Sequence, residues 1–166
     1  MSEDRKNEGL AIRMSVAANL TLTDVGAVAG RFGLIDAAAE ERAARKYIDA
    51  LEIKTPSSSQ AAKFLSGGNQ QKIVIGKWLF RGAKIIIFDE PTRGIDVGAK
   101  YAIYELMLRL AADGVGVILI SSELPEILGM TDRVLVFCQG QISGTLSTRT
   151  ATQEQILRLA SQPTIG

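Results

Sequence analysis

The chain contains no histidine and a single cysteine, Cys138, among its 166 residues. Without histidine, no imidazole can act as a base or a metal ligand, and one cysteine cannot form an internal disulfide. Lys and Arg total 19 against 18 Asp and Glu, a balance that favours neither nucleic acid nor an anionic membrane as a partner. Nothing resembles a signal peptide, and no apolar run approaches the ~20 residues of a membrane span.

A further absence concerns phosphate binding. The pattern G-x-x-x-x-G-K-[ST], whose backbone amides and lysine cradle nucleotide phosphates, occurs nowhere in the chain. The residues that are present fit one ordinary packed domain, since 46% are hydrophobic and 22% are charged. Cys138 ends an apolar run, 134–138, and is therefore predicted to be a core residue.

Hydrophobic periodicity predicts one helix over 36–53 and, from Phe64 onward, alternating helices and strands. The later helices are predicted at 67–80, 97–112, 125–128 and 153–160, and the strands at 84–88, 115–120, 133–138 and 141–146. The apolar runs at 84–88 and 115–120 are typical of strands buried on both faces, and Gln139-Gly140 predicts a hairpin turn. This order predicts an α/β fold with a mostly parallel sheet and an antiparallel edge hairpin.

Ser66-Gly67-Gly68 opens the predicted helix 67–80. Glycines at a helix start let another backbone approach closely and leave N–H groups pointing outward, where the helix dipole favours an anion such as a phosphate. A plain loop-to-helix junction is the alternative for a bare Ser-Gly-Gly. Leu65 before it, the run 69–72 (Asn-Gln-Gln-Lys) after it and a strand ending in Asp-Glu-Pro downstream favour anion binding.

Asp89 and Glu90 follow a predicted parallel strand, at the edge where such sheets bind ligands. Asp89 is the candidate Mg²⁺ ligand, through water, because that ion retains much of its hydration shell. Glu90 would orient and deprotonate an attacking water. A solvated turn, which Pro91 fits, is the alternative for the pair. Asp96 is predicted to cap helix 97–112, a role that is compatible with a second one.

Together these segments resemble ABC-type ATPases. Leu65 to Lys72 is similar to the signature motif, Ile85 to Glu90 to the Walker B strand with its catalytic glutamate, and Gly94 to Asp96 to the D-loop. Ser122 lies at the end of the next strand, where ABC ATPases carry the switch histidine. The segments 2–6, 69–72, 91–100 and 121–126 resemble the second nucleotide-binding domain of bacterial monosaccharide importers of the ribose, galactose and xylose type.

The resemblance implies a domain plan. Residues 1–11 would form a Q-loop-like opening segment, 12–63 a helical subdomain, 64–150 the C-terminal half of the ATPase core, and 151–166 a C-terminal helix and tail. The implied fold is a partial P-loop NTPase core of the ABC type in which the Walker A half is missing. The resemblance also implies that the chain alone is inactive as an ATP hydrolase, although the full-length protein would hydrolyse ATP.

ATP and Mg²⁺ are the cofactors that the resemblance implies, and it assigns roles to nine residues. The nucleotide contacts would be Ser66, Gly67, Gly68, Asn69 and Glu3, the metal residue Asp89, and the catalytic residues Glu90, Asp96 and Ser122. Two residues depart from the general pattern, because Ser122 replaces the switch histidine and Asn69 replaces a glutamine. These departures imply a domain that hydrolyses poorly in its own site and completes the site of a facing domain.

The implied partners are a second ABC ATPase domain, transmembrane permease subunits and, indirectly, a periplasmic sugar-binding protein, with no nucleic acid. The implied location is cytoplasmic, peripheral on the inner face of the cell membrane. Two alternatives stay open: a non-catalytic interaction module, and a non-transport ABC ATPase that acts on ribosomes or DNA. The neutral charge balance and the importer-like segments argue against the second alternative.

Overall fold

A computed structural model describes residues 9–161, and the chain divides after Ile118 into two compact units, here called unit 1 and unit 2. The helices are α1 (Val16–Thr21), α2 (Ala37–Ala50), α3 (Gly67–Phe80), α4 (Val97–Ala112), α5 (Leu124–Met130) and α6 (Gln153–Ser161). The strands are β1 (Ile85–Asp89), β2 (Gly116–Ile120), β3 (Arg133–Cys138) and β4 (Gln141–Ser147). Short 3₁₀ turns lie at Leu22–Val28, Arg31–Gly33 and Ala62–Phe64.

Unit 1 is built around α3, whose side chains are buried around most of its circumference. Polar side chains are buried in it beside the apolar run 73–76, and Gln70 and Lys72 each donate to a backbone carbonyl there. At Gly76 the helix lies so close to α1 that an added methyl carbon would approach Leu20 Cδ2 to 2.5 Å. The helix ends where Gly82 adopts a left-handed φ of 75°, a conformation that glycine adopts at little cost.

Asp96 caps α4 as predicted, since its Oδ1 accepts a hydrogen bond from the Ala99 N–H at 2.9 Å. The helix packs its apolar face into the core of unit 1 through Ile103, Leu106, Met107 and Leu110. The predicted bounds of 67–80 and 97–112 are confirmed for α3 and α4. Both helices begin at a side chain that bonds the first turn, which explains why local sequence located them well.

β1 and β2 form a two-stranded parallel sheet, and the α/β fold class is confirmed. The expectation that both strands are buried on both faces is wrong. In β1, Ile86 and Phe88 are 3% and 0% exposed, whereas Ile85 and Ile87 are 63% and 46% exposed. Successive side chains of a strand point to opposite faces, and within residues 9–161 the helices cover only one face of β1. Ile118 and Ile120 of β2 are likewise exposed.

Unit 2 contains the predicted hairpin of β3 and β4, which pair antiparallel with Val134 opposite Leu146. The hairpin is a two-stranded sheet of its own and not the predicted edge of the β1–β2 sheet. Its core comprises Ile127, Val134, Val136 and Ile156. The predicted capping box of α6 is confirmed: the Thr152 N–H donates to Gln155 Oε1 at 3.0 Å, and the Gln155 N–H donates to Thr152 Oγ1 at 3.2 Å. Cys138 is half-buried instead of a core residue, because it ends β3 beside the turn.

The division after Ile118 does not test the domain boundaries implied by the resemblance, which stay a prediction. Of the nine implied site residues, Glu3 lies outside the described residues. Among residues 9–161, no helix combines the length and the hydropathy needed to cross a membrane.

Candidate nucleotide-contacting site

Ser66 is the N-cap of α3 and is exposed, with φ and ψ of −61° and 158°. Its carbonyl accepts the N–H of Gln70 at 2.9 Å, which is the first hydrogen bond of the helix. The N–H groups of the first helical residues, Gly67 and Gly68, have no intrahelical acceptor in such a geometry. The start of α3 therefore presents a hydroxyl and the positive end of the helix dipole at the surface, as an anion site requires.

The side chain of Asn69 bridges Ser66 and the segment that follows α2. Asn69 Nδ2 donates to Ser66 Oγ at 2.9 Å, and Asn69 Oδ1 accepts the Lys54 N–H at 2.8 Å. The Asn69 N–H also points to Ser66 Oγ, at 3.5 Å. The amide that was predicted as a nucleotide contact is thus hydrogen-bonded at both ends within the chain.

Gly68 lies against α4, and this contact explains why glycine is needed there. A methyl carbon added at Gly68 would lie 2.8 Å from the Cβ of Ala99, closer than two carbon atoms can approach. Ala99 lies in the first turn of α4, three residues after its cap Asp96. The structure therefore brings the signature-like segment against the first turn of the helix that follows the D-loop-like segment, although the two are far apart in the sequence.

The two predicted carboxylates lie where β1 ends, and both are half-buried. Glu90 has a φ of 46°, a left-handed conformation that residues other than glycine rarely adopt. The Arg93 N–H donates to the Glu90 carbonyl at 3.2 Å, and the turn between them is anchored by the buried side chain of Thr92. Such strain is of order 1 kcal/mol and persists where the surroundings hold it, often at functional sites.

Asp89 is also the candidate metal residue. No group of three or more His, Cys, Asp or Glu side chains that could hold a metal ion occurs within residues 9–161. Mg²⁺ in nucleotide sites is commonly held by one or two carboxylates together with waters and phosphates. The donor set at the end of β1 fits Mg²⁺ bound with a nucleotide.

Ser122 belongs to unit 2, whereas Ser66, Asp89, Glu90 and Asp96 belong to unit 1. The side chain of Ser122 is exposed. The neighbouring Ser121 has a structural role, because its Oγ donates to Glu126 Oε2 at 2.6 Å and accepts the Glu123 N–H at 3.0 Å. These bonds hold the loop between β2 and α5.

Two buried lysines of α3 were not predicted as functional. Lys72 Nζ donates to the Glu52 carbonyl at 3.1 Å, and Lys77 Nζ donates to the Gly9 carbonyl at 2.5 Å. Burial lowers the pKa of both Lys72 and Lys77, because a charged ammonium loses hydration inside the protein. The signal that could have found them is their position on either side of the apolar run 73–76.

This fold, with a capped Ser-Gly-Gly helix beside a second capped helix, is that of part of an ATP-binding cassette. The chain belongs to the ABC transporter family, whose family model matches residues 4–93. Over 161 residues it is 63% identical to a ribose/galactose/methyl galactoside import ATP-binding protein of Agrobacterium fabrum. The match covers 97% of this chain and 32% of the relative, so the chain spans about a third of the length of the curated relatives it matches.

Solved structures confirm the fold. An inward-facing metal-chelate type ABC transporter matches with a TM-score of 0.76 and 19% identity, over 91% of this chain and 59% of that chain. A dimeric post-hydrolysis ATP-binding cassette bound to ADP and Pi matches with a TM-score of 0.67 and 20% identity, over 86% and 60% of the two chains. The expected partial ABC fold is therefore correct.

Proposed function

We propose that the chain is part of the ATP-binding component of a monosaccharide importer and that it completes an ATP site shared with a second ABC ATPase domain. The observation that carries this proposal is the exposed start of α3, where the Ser66 hydroxyl and the first N–H groups lie together beside the start of α4. The name of the relative in Agrobacterium fabrum, a ribose/galactose/methyl galactoside import ATP-binding protein, supports a monosaccharide as the transported substrate.

In this proposal the ATP phosphates are held by the phosphate loop of the facing domain. Ser66, Gly67 and Gly68 donate hydrogen bonds to the γ-phosphate from the other side, and a preorganised donor of this kind is worth ~3 kcal/mol in the transition state. Asp96, as the cap of α4, holds the neighbouring segment in place. The dimeric cassette bound to ADP and Pi supports a nucleotide at a paired site.

The chain's own carboxylates have the corresponding roles toward a nucleotide on its own side. Asp89 would hold Mg²⁺, which neutralises phosphate charge when it is bound, and Glu90 would orient a water for in-line attack. Because Ser122 stands where a histidine is usual, we propose that this second site hydrolyses ATP poorly. The catalytic contribution of the chain is then made mainly through Ser66.

We further propose transmembrane permease subunits as partners, which would locate the protein peripherally on the cytoplasmic face of the cell membrane. The turn between Ala29 and Ile35 supports this, because Phe32 at its tip is 90% exposed and Leu34 is 72% exposed. Phe32 also has a φ of 71°, so the protein holds an aromatic ring outward in a strained conformation. An exposed apolar tip of this kind is typical of an interaction surface.

The test combines the chain with an ABC ATPase domain that has its own phosphate loop but an alanine in place of its signature serine. We expect no phosphate release from the chain alone and ATP hydrolysis from the mixture. Ser66→Arg should nearly abolish the hydrolysis, because the side chain blocks closure and removes a donor. Glu90→Gln is the matched control and should retain most of the hydrolysis, because Glu90 is assigned to a nucleotide on the chain's own side. Equal losses from both variants would contradict the asymmetry, and turnover by the chain alone that Glu90→Gln removes would contradict the proposal.

A further inference from the structure

The orientation of the Asn69 amide is determined by its neighbours. The Lys54 N–H can only donate, so the atom that faces it at 2.8 Å must be the amide oxygen. The amide nitrogen therefore faces Ser66 Oγ, at 2.9 Å. Asn69 donates to Ser66 and does not accept from it.

This orientation decides how the Ser66 hydroxyl can act. A serine hydroxyl has two acceptor lone pairs and one O–H donor. Both hydrogen bonds to Ser66 Oγ within residues 9–161 come from Asn69, one from its side chain and one, at 3.5 Å, from its backbone N–H. With its acceptor positions directed at Asn69, the hydroxyl has its proton available for an acceptor outside the chain, and Ser66 is exposed.

The backbone that holds Asn69 is itself anchored from two helices. Glu52 has a left-handed φ of 51°, and its carbonyl accepts from Lys72 Nζ of α3 at 3.1 Å. Arg109 of α4 reaches the Glu52 carboxylate at 3.3 Å. The segment 52–54 thus presents the Lys54 N–H at a defined position, and the orientation of the Asn69 amide follows from it.

We propose that Asn69 is a positioning residue that makes Ser66 a hydrogen-bond donor to an oxyanion, here the γ-phosphate of an ATP held by the facing domain. This inference rests on the proposed function. It differs from a direct nucleotide contact, because Asn69 acts through the Ser66 hydroxyl. It also explains why asparagine suits this position: a glutamine is one methylene longer and could not make both bonds in the same geometry.

Asn69→Asp is the sharpest test because the two side chains have the same shape. The carboxylate can still accept the Lys54 N–H, and a negative charge in the first turn of α3 suits the helix dipole. Its second oxygen, however, accepts the Ser66 proton and turns the donor inward. We expect Asn69→Asp to fold as stably as the parent and to lower kcat for ATP hydrolysis in the mixture described above by roughly 10²-fold, close to the loss in Ser66→Ala.

A double-mutant cycle separates this effect from simple repulsion between the new carboxylate and ATP. If Asn69 acts through Ser66, Asn69→Asp costs little further activity once Ser66 is replaced by alanine. A repulsion would lower activity by the same factor in both backgrounds and would raise KM for ATP, and that result overturns the proposal. Unfolding by denaturant, followed by Trp78 fluorescence, checks that each variant is folded.

The same experiment distinguishes the two proposals. If Ser66→Ala has no effect, or the parent chain does not support hydrolysis, the proposed function fails. If Ser66→Ala lowers kcat about 10²-fold and Asn69→Asp leaves it unchanged, the shared site stands and the positioning role of Asn69 is wrong.

Discussion

Helix α3 and strand β1 are neighbours in the sequence, and unit 1 surrounds the mixed sequence of the helix more completely than the apolar sequence of the strand. Along α3, the residues from Gln70 to Lys77 are all buried, including two lysines. Along β1, buried and exposed residues alternate, and two of its three isoleucines are exposed. The difference shows that the apolar content of a segment does not by itself fix its burial, because the neighbouring elements decide which side chains are covered.

The largest effect expected from this comparison is on the covered face of β1. Phe88 is 0% exposed, so Phe88→Ala should lower the free energy of unfolding by about 3–5 kcal/mol through lost burial and a cavity. Ile87→Ala changes the preceding residue, whose side chain lies on the exposed face, and should lower the free energy of unfolding by less than about 1 kcal/mol. Denaturant unfolding followed by Trp78 fluorescence measures both, and similar losses would mean that the outer face is covered too.

Helix α3 should tolerate added volume poorly at its contact with α4. Gly68→Ala directs a methyl group at the Ala99 Cβ, which belongs to a helix and cannot rotate away, so we expect a loss of about 1–3 kcal/mol. Ala99→Gly in the same protein should restore part of it. Gly129→Ala in α5 is the control, because an added methyl there meets nothing within 4 Å. Thermal unfolding followed by circular dichroism should show this control as stable as the parent or slightly more stable.

The exposed apolar positions of β1 and β2 should promote self-association. Ile87→Lys combined with Ile118→Lys should reduce association with little change in unfolding free energy, because both side chains are already about half exposed. Light scattering over a concentration series measures the effect. A parent chain that remains monomeric at every concentration would contradict this prediction.

The smallest effect concerns the buried lysines of α3. Burial lowers the pKa of Lys72 in the folded protein below its value in the unfolded chain. At a pH between these two pKa values, the unfolded state binds more protons than the folded state. Stability should therefore rise with pH across this alkaline window, and Lys72→Met should reduce the slope. The same direction holds for Lys77, whose pKa is also lowered by burial. Unchanged slopes in Lys72→Met and Lys77→Met would show that neither ammonium titrates differently on folding.

Sequence patterns located the site elements well where the determinants are local. Ser66 and Asp96 each bond an N–H three residues further on, so the starts of α3 and α4 could be read from neighbouring residues. The hairpin of β3 and β4 and the capping box at Thr152 and Gln155 were found for the same reason. The prediction that β1 and β2 are buried on both faces was wrong, because the burial of a strand face depends on elements from elsewhere in the fold.

The candidate site shows the same division. The sequence predicted that Ser66, Gly67 and Gly68 open a helix suited to an anion, but it offered no reason to connect Asn69 with Lys54, fifteen residues earlier. Nor did it indicate that Gly68 is needed for contact with Ala99. Both contacts join parts of the chain that meet only after folding, and no periodic pattern in the sequence predicts either of them.

The sequence by itself determined the family, the order of helices and strands and the chemical groups at the site, because these depend on residue type and short spacing. The tertiary structure alone decided that Asn69 directs the Ser66 hydroxyl and that two lysines are buried in α3. It also decided that the outer isoleucines of β1 are exposed. Hydrogen-bond direction, burial and pKa depend on which atoms surround a group, and packing brings those atoms together from distant positions in the chain.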